Sequence, residues 1–484
     1  MRNLVRPCTL RACFLSAWTL TRELDFVFSS GNSISPMTQV IAAQRPADRV
    51  AEGFLGNGRN SKCSFVRNVA ILGGGTALAQ SFNVLLAPVI TRLYLPVSFG
   101  QYALFVSFLN VAMVGVSLRY ELAIVAAHTE QKAARLAFAA FLFCLPTSLL
   151  GAGVLFLFIH FSLLGFNALP SYAALFMAAA LVLVAGFSVL RYWFVRQEQF
   201  GCVSQATVAQ NGIRSVSQAA IGAVGSGFGG LLAGELLGRS AGMSRMFRTA
   251  WPRISAHVFP MDRSNFSEVL GENMQFPVYS LPSSLVDSVA ANICIPLMVW
   301  YYGPNAGGYY ALVQRVLAVP LVLISASVAD AFQARLAVYV RDTPDRIAQL
   351  FQRTSAGLLC LGVIPTALMV SYAEPAFRAL FGDKWSVAGR MAAVVAPYFL
   401  AQFVVSPLSR LVFVLEGQRL KLIYDVLALS GMMSVFAFSK WHHLPLLHAV
   451  VMLSAVGTLS FVVYYLVLMR IVSRYSYAAE GNPA

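Results

Sequence analysis

Two charged side chains lie deep inside long apolar stretches of this sequence. Arg214 and Asp287 are each near the middle of such a stretch, and neither can easily reach an end of it. A charge at the centre of a bilayer costs about 2.5–3.5 kcal/mol on insertion scales, so each needs a polar neighbour. We predict that both face a shared polar cleft, the alternative being a structural charge paired with a local partner.

Three further charges lie nearer the ends of apolar stretches. Arg315 is about two helical turns from one end, so its long side chain could line a cavity or extend to the membrane interface. Arg119 and Glu121 lie in the segment LRYELAIVAA at 118–127. Residues two apart do not share a helix face. We therefore expect one of them to face the cleft and the other to face an adjacent helix.

Other polar groups are given structural interpretations. Glu235 and Arg239 are four residues apart, as are Lys421 and Asp425, a spacing that allows mutual neutralisation on a helix. The seven cysteines show no CxxC spacing, so neither a disulfide framework nor a zinc site is predicted. We predict no metal or cofactor site. No nucleophile, base and acid arrangement is recognisable, and an enzyme is disfavoured, although intramembrane catalysis stays open.

The elements that must position these charges are membrane helices. Of the 484 residues, 58% are hydrophobic and 11% are charged, whereas soluble domains have about 25% charged residues. A helix of about 20 apolar residues spans the hydrocarbon core. The sequence predicts an all-α membrane protein with about twelve spans, numbered 1 to 12: residues 69–91, 101–125, 136–159, 172–195, 204–224, 229–247, 277–301, 309–332, 355–373, 388–412, 421–439 and 446–470.

The distribution of basic residues predicts the orientation of these spans. The formal net charge is +15, and the Lys and Arg residues lie mostly between the apolar stretches rather than in one basic domain, which argues against nucleic-acid binding; within the connections they are concentrated in alternate ones. We call the side with these connections the basic end. The opposite, sparsely charged end holds only four basic residues in its connections, Arg92, Arg378, Lys384 and Lys440. Because basic loops stay in the cytoplasm, both termini are predicted to be cytoplasmic.

An internal repeat divides the spans into two lobes. RLYLPVSFGQYAL at 92–104 aligns with WYYGPNAGGYYAL at 300–312, an offset of 208 residues. Each segment joins the first span of its half to the second. Because six spans is an even number, the halves run in the same direction as parallel repeats. We predict two parallel six-helix lobes around a central cleft.

The predicted domain organisation follows from these spans. Residues 1–64 form an N-terminal leader, either disordered or the result of a start codon assigned too far upstream. The N-lobe covers 65–248, a cytoplasmic connection 249–276, the C-lobe 277–472 and a cytoplasmic tail 473–484.

Several long segments resemble one family. The segments FVRNVAILGGGTALAQSFNVLLAPVITRLYLPVSFGQYALFVSF at 65–108, LRYELAIVAA, FPVYSLPSSLVDSVAANICIPLMVWYYGPNAGGYYALVQRVLAVPL at 276–321 and ALFGDKWSVAGRMAAVVAP at 379–397 are similar to bacterial polysaccharide-biosynthesis flippases of the O-antigen type. This family belongs to the multidrug/oligosaccharidyl-lipid/polysaccharide exporter (MOP) superfamily. The resemblance covers about residues 65–472, and the long leader departs from the family pattern.

The resemblance implies a transport function in the bacterial inner membrane. The substrate would be a polyprenyl-pyrophosphate-linked oligosaccharide, moved from the cytoplasmic to the periplasmic leaflet as the lobes alternate between two openings. Arginines bind pyrophosphate through charge-assisted hydrogen bonds, so Arg214, Arg315 and Arg119 are the candidate substrate-binding residues. Asp287 and Glu121 are the candidates for proton coupling. The bilayer and the polysaccharide polymerase and chain-length machinery are the other implied partners.

Two other functions compete with this one. A cation-coupled drug exporter of the same superfamily would favour an acidic cavity, whereas the deep charges here are at least as basic as acidic. A membrane polysaccharide polymerase or ligase would need a large periplasmic loop, and no connection in this sequence supplies one.

Overall fold

The computed structural model describes residues 60–258, 269–343, 346–415 and 418–480, and these residues are helical with no strand among them. The predicted leader lies outside the described residues up to position 59. The chain forms two compact units, residues 1–69 and 70–484. Apart from the first ten residues of the helix that begins at Asn60, the described residues belong to the second unit.

The N-terminal half contains nine α-helices among its described residues, together with a 3-10 turn at Leu163–Ala168. They are α1 (Asn60–Leu85), α2 (Ala87–Leu93), α3 (Pro96–Ala112), α4 (Tyr120–Ala126), α5 (Glu130–His160), α6 (Ala173–Arg196), α7 (Phe200–Ala223), α8 (Gly227–Ser240) and α9 (Met243–Val258).

The C-terminal half is built in the same way. Two short π-helical segments, Phe276–Ser280 and Leu321–Ser325, and a 3-10 turn at Asp383–Trp385 interrupt its helices. The α-helices described here are α10 (Leu281–Asn292), α11 (Cys294–Pro320), α12 (Ala326–Asp342), α13 (Ile347–Phe381), α14 (Ser386–Leu408), α15 (Leu411–Val414), α16 (Gln418–Trp441) and α17 (Leu446–Glu480).

The predicted spans are largely helical, although span 2 is interrupted at 113–119, and seven helical stretches of the described chain are long and apolar enough to span a bilayer by length and composition. The others are broken, short or more polar. Span 1 is divided at Leu86 between α1 and α2, and span 6 is the 14-residue α8. Phe276–Val319 is a single continuous stretch that contains span 7 and part of span 8. The protein is a multi-pass membrane protein.

Some predicted connections are shorter in the structure. The outer connection expected at 302–308 is a single bend at Gly303, whose φ of 82° and ψ of 171° are not helical, and helix resumes at once. Span 6 ends at Ser240 rather than at 247, because Gly242 (φ 72°) turns the chain into α9. The predicted boundary between the N-lobe and the connection, at 248, falls within α9.

The helix breaks follow the 208-residue repeat. The break at Leu86 corresponds within one residue to the break at Ile293 between α10 and α11. The turn at 113–119 corresponds to the π-helical segment Leu321–Ser325. The duplication therefore extends to the bends of the two leading spans in each half.

The repeated segments pack reciprocally against each other. A Cβ added to Gly100 would lie 1.8 Å from the Pro304 carbonyl oxygen, and one added to Gly308 would lie 2.2 Å from the Pro96 carbonyl oxygen. Pro96 and Pro304, like Gly100 and Gly308, are equivalent positions of the repeat. Small residues let helix backbones approach closely in membranes, so α3 and α11 meet through the same four residues in both directions.

The two ends of the molecule are packed differently. At the sparsely charged end, one hydrophobic core contains residues of both halves, such as Phe99 and Trp385, whose rings meet edge to face at 5.5 Å. Trp385 Nε1 also donates a hydrogen bond to the Thr91 carbonyl oxygen at 2.8 Å. At the basic end, each half has its own core, one around Trp193 and the other around Phe351. Among the described residues the two halves therefore share a core at the sparsely charged end and not at the basic end, as expected for a cleft that opens toward the basic end.

Candidate substrate-binding site

A buried carboxylate organises the polar interior of the N-lobe. Glu235, on α8, is only 1% exposed. Arg239 Nε donates a hydrogen bond to its Oε1 at 2.7 Å, and the Tyr102 hydroxyl donates to its Oε2 at 2.6 Å. Arg214 Nη1 lies 3.7 Å from the same Oε2. Three side chains from three helices therefore converge on one carboxylate.

Arg214 also ties span 5 to span 1. Its Nη2 donates hydrogen bonds to Asn83 Oδ1 at 2.8 Å and to Asn211 Oδ1 at 2.7 Å. Ser215 donates to Asn83 Oδ1 at 3.2 Å. Asn83 Nδ2 in turn donates to Asn211 Oδ1 at 3.1 Å. These bonds hold the guanidinium group in a fixed orientation on the wall of the N-lobe.

Arg315 brings the C-lobe to this group of residues. Its Nη2 donates a hydrogen bond to the Asn83 carbonyl oxygen at 3.0 Å, and it interacts electrostatically with both Arg214 and Glu235. It forms no ion pair with a carboxylate among the described residues. The structure thus places Arg214 and Arg315, predicted from the sequence as separate candidates, in one group that joins the two lobes.

We call Asn83, Tyr102, Arg214, Glu235, Arg239 and Arg315 the basic cluster. It contains three guanidinium groups and one carboxylate, a formal charge of +2. Arg214 and Arg239 keep about a fifth of their side-chain surface exposed, whereas Glu235 does not. The cluster can therefore offer hydrogen-bond donors to an anion, while its carboxylate is enclosed.

The sequence interpretation of Glu235 was incomplete. The predicted pair with Arg239 is present, but the same carboxylate also serves Arg214 and Tyr102. Helical spacing reveals only partners on the same helix, and Arg214 and Tyr102 are on others. Asn83, an amide in an apolar stretch, was also missed; its position inside span 1 was the one available signal.

The expectation for Arg119 and Glu121 was wrong in its geometry. It assumed a continuous helix, but Leu118 and Arg119 have left-handed backbone conformations (φ 50° and 64°) ahead of α4. This bend allows Arg119 Nη1 to lie 3.9 Å from Glu121 Oε1. Ser117 donates a hydrogen bond to the buried Glu121 carboxylate. Both residues lie on a bend of span 2 and form no bond with the basic cluster.

Asp287 lies in a different place, on the wall of a cavity of about 420 Å³ within the C-lobe. Asp287 was predicted to share a site with Arg214, but Arg214 is not among the residues that line this cavity. Asp287 forms no ion pair with any described residue. Lys421 Nζ and Asp425 Oδ2, 2.5 Å apart, form the predicted pair and line the same cavity. The proton-coupling roles of Asp287 and Glu121 remain predictions.

The fold is similar to those of several MOP-superfamily structures. A multidrug resistance MATE family transporter in an inward-facing conformation aligns with a TM-score of 0.63 and 14% identity, over 82% of this chain and 96% of that one. The lipid II flippase MurJ, in an inward closed conformation, aligns with a TM-score of 0.64 and 10% identity, over 84% and 90%. A MOP superfamily transporter from Pyrococcus furiosus gives 0.55 and 14%, over 84% and 96%. No curated protein sequence matches the chain.

The helical architecture and these alignments show that the chain has the fold of these membrane transporters, and the predicted fold class is confirmed. Residues 89–390, more than half of the chain, also match the profile of the family described as polysaccharide biosynthesis protein. The chain belongs to this family. The resemblance found in the sequence is therefore correct.

Proposed function

We propose that the protein moves a polyprenyl-pyrophosphate-linked saccharide from the cytoplasmic to the periplasmic leaflet of a bacterial inner membrane. The observation that carries this proposal is the formal charge of +2 in the basic cluster at the junction of the lobes. A pyrophosphate diester carries two negative charges, and arginines bind phosphate oxygens through fixed pairs of N–H donors. The polyprenyl chain would stay in the bilayer.

The orientation of the cleft supports the direction of movement. The basic end, where the lobes have separate cores, is the end that the distribution of arginines predicts to be cytoplasmic. A substrate made in the cytoplasmic leaflet would enter there. Both termini would then be cytoplasmic, and release would require the shared core at the sparsely charged end to separate.

Arg315 is the residue best placed to respond to the substrate. Its one hydrogen bond to the N-lobe is with a backbone carbonyl, which a phosphate oxygen would replace with a stronger charge-assisted bond. Arg214, in contrast, is held by two amides and a carboxylate. Arg119 would contribute only through the bend of span 2. No step of this cycle makes or breaks a covalent bond.

Glu121 is our candidate for proton coupling. It is buried on the bend of span 2, where Arg119, the Ser117 hydroxyl and the Cys144 thiol surround its carboxylate. Uptake of a proton would weaken its interaction with Arg119 and change the conformational balance of the bend. Glu121→Gln should therefore leave substrate binding intact and remove the dependence of transport on the proton gradient.

Complementation of a gene deletion tests the proposed function. The deletion strain should lose its surface polysaccharide and accumulate a lipid-linked saccharide on the cytoplasmic leaflet. Wild-type protein should restore the polysaccharide, whereas Arg214→Ala and Arg315→Ala should each reduce it at least about tenfold at equal protein levels in the membrane. Arg378→Ala removes an exposed arginine at the sparsely charged end and is the matched control.

Normal polysaccharide with both cluster variants would overturn the assignment of the basic cluster. Normal polysaccharide in the deletion strain itself, together with raised sensitivity to cationic drugs, would favour the drug-exporter alternative.

A further inference from the structure

The C-lobe cavity is lined by aromatic rings and isolated polar groups. Tyr398 and Tyr424 contribute rings to its wall, and Phe461 packs between them with ring centroids 5.6 and 6.2 Å away. Gln402 and Asp287 supply an amide and a carboxylate. Mostly apolar walls with a few convergent polar groups are typical of sites for small organic ligands.

One wall residue has an unsatisfied hydrogen-bonding group. Tyr464 is 3% exposed, and its hydroxyl is buried without a partner among the described residues. Its ring stacks on Tyr424 with centroids 4.1 Å apart, which fixes its position. A buried hydroxyl without a partner costs about 1–3 kcal/mol. A ligand with hydroxyl groups would remove this cost.

The charge of the cavity differs from that of the basic cluster. Asp287 and Asp425 oppose Lys421, which gives a formal charge of −1, and the Lys421–Asp425 pair leaves Asp287 as the free carboxylate of the described wall. A pyrophosphate would be repelled. A neutral polyol would not, since an ionised carboxylate accepts hydrogen bonds from hydroxyl groups.

The cavity and the basic cluster are joined by span 8. Tyr310 lies on the cavity wall, and Arg315, five residues later on α11, contacts the basic cluster. Five residues correspond to about 7.5 Å along a helix axis. Because five residues also turn about 140° around the axis, the sugar of a pyrophosphate held by Arg315 would pass around α11 to enter the cavity.

We propose that this cavity is a saccharide subsite, in which aromatic rings pack against the C–H faces of uncharged sugars. The Asp287 carboxylate would accept hydrogen bonds from the sugar hydroxyl groups, and the Gln402 amide would donate hydrogen bonds to them. The inference rests on the proposed function and adds a division of labour to it. The N-lobe holds the charged linkage, and the C-lobe selects the sugar. Tyr464 would complete the site once its hydroxyl is paired with the ligand.

Binding measurements with matched probes test this subsite. The probes are citronellyl methyl pyrophosphate, a sugar-free diester of the same charge, and three citronellyl pyrophosphates that carry glucose, galactose or N-acetylglucosamine. Affinities are measured by calorimetry on the full chain in lipid nanodiscs. Wild-type protein should bind at least one sugar-bearing probe about tenfold more tightly than the sugar-free probe.

The variants separate the two parts of the substrate. Asp287→Asn and Gln402→Ala should remove most of the preference for the sugar and change the affinity for the sugar-free probe less than about twofold. Arg315→Gln should weaken all four probes. Asp383→Asn, which alters an exposed carboxylate outside the cavity, is the matched control and should change nothing.

The outcomes distinguish the inference from the proposed function. If wild-type protein binds all four probes equally, or if Asp287→Asn leaves the sugar preference intact, the saccharide subsite is wrong while pyrophosphate binding stands. If tetraphenylphosphonium competes with the sugar-bearing probes and Asp287→Asn abolishes only its binding, the cavity is a cation site instead. If no probe binds the wild type, the proposed function itself fails. Tyr398→Phe, which keeps the ring and removes only the hydroxyl group, is a control for folding of the cavity and should retain most of the preference for the sugar.

Discussion

The two lobes share one ancestral pattern but differ in what fills their interiors. Tyr102 and Tyr310 are equivalent in the 208-residue repeat. Tyr102 donates to a buried carboxylate in a closed group of charges, whereas Tyr310 lies on the wall of an open cavity. Asn83 and Ala291 are also equivalent. Asn83 joins span 1 to span 5 through hydrogen bonds, whereas Ala291 has no side chain to reach across and lines the cavity.

This difference separates residues that the fold requires in both halves from residues that differ between the halves. Pro96, Gly100, Pro304 and Gly308 keep the same identities and make the contact between the lobes in both directions. The polar positions beneath them have diverged. Contacts that hold the two lobes together constrain both copies of the repeat equally, whereas the proposed substrate would contact each copy differently.

The largest expected effect is a loss of unfolding free energy when the contact between α3 and α11 is overpacked. Gly100→Ala and Gly308→Ala each place a methyl group against a backbone carbonyl that cannot move aside. Overpacking of this kind costs about 1–3 kcal/mol, and we expect the upper part of that range for both variants. Reversible unfolding in mixed detergent micelles measures the loss.

Two comparisons sharpen this result. Gly153→Ala, in α5 with nothing within 4 Å of the added methyl group, should be neutral or slightly stabilising. The Gly100/Gly308 double variant should cost less than the sum of the single variants, because both changes separate the same two helices. Clearly unequal costs for the two single variants would contradict reciprocal packing.

The next largest effect is a difference in stability between substitutions at the equivalent positions Asn83 and Ala291. Asn83→Ala removes the acceptor of Arg214 Nη2 and the donor to Asn211. Because bonds to charged groups contribute about 1.5–3 kcal/mol, the unfolding free energy should fall by about 2 kcal/mol. Ala291→Leu should instead fill part of the cavity with little change in stability and should weaken sugar-bearing probes. A large loss of stability for Ala291→Leu would show that the cavity has no room for the larger side chain.

The smallest effect concerns the two tyrosine hydroxyls. Tyr102→Phe removes one hydrogen bond to a buried carboxylate and should cost about 1.5 kcal/mol, the lower end of the range for bonds to charged groups. The Tyr310 hydroxyl bonds with the neutral groups of Cys294 and Gln314, so Tyr310→Phe should cost about 1 kcal/mol or less. The same unfolding measurement compares them. Equal losses would mean that the carboxylate does not distinguish the lobes.

Much of the fold could be predicted from the sequence because it depends on local and repeated signals. Apolar length predicted the spans, and the offset between 92–104 and 300–312 predicted the lobes. Bends were harder to locate. The sequence predicts a loop around Gly303, whereas the structure has helix on both sides of this residue.

The site was predictable only in part. Arg214 and Arg315 were recognisable because a charge in an apolar stretch is costly. Their common partner Asn83 was not, since an uncharged amide is less conspicuous and its contacts lie 131 and 232 residues away. The relation between Arg119 and Glu121 was predicted wrongly because the left-handed residues of the turn, Leu118 and Arg119, are not glycines and so give no sign of it in the sequence.

Transport by the purified protein tests the central claim most directly. Proteoliposomes would be loaded with a fluorescent citronellyl-pyrophosphate saccharide, and its movement between leaflets followed by chemical quenching of the outer leaflet. Wild-type protein and Arg378→Ala should move the probe at similar rates, and Arg315→Ala should move it at less than about a tenth of that rate. Equal rates for wild type and Arg315→Ala would contradict the account.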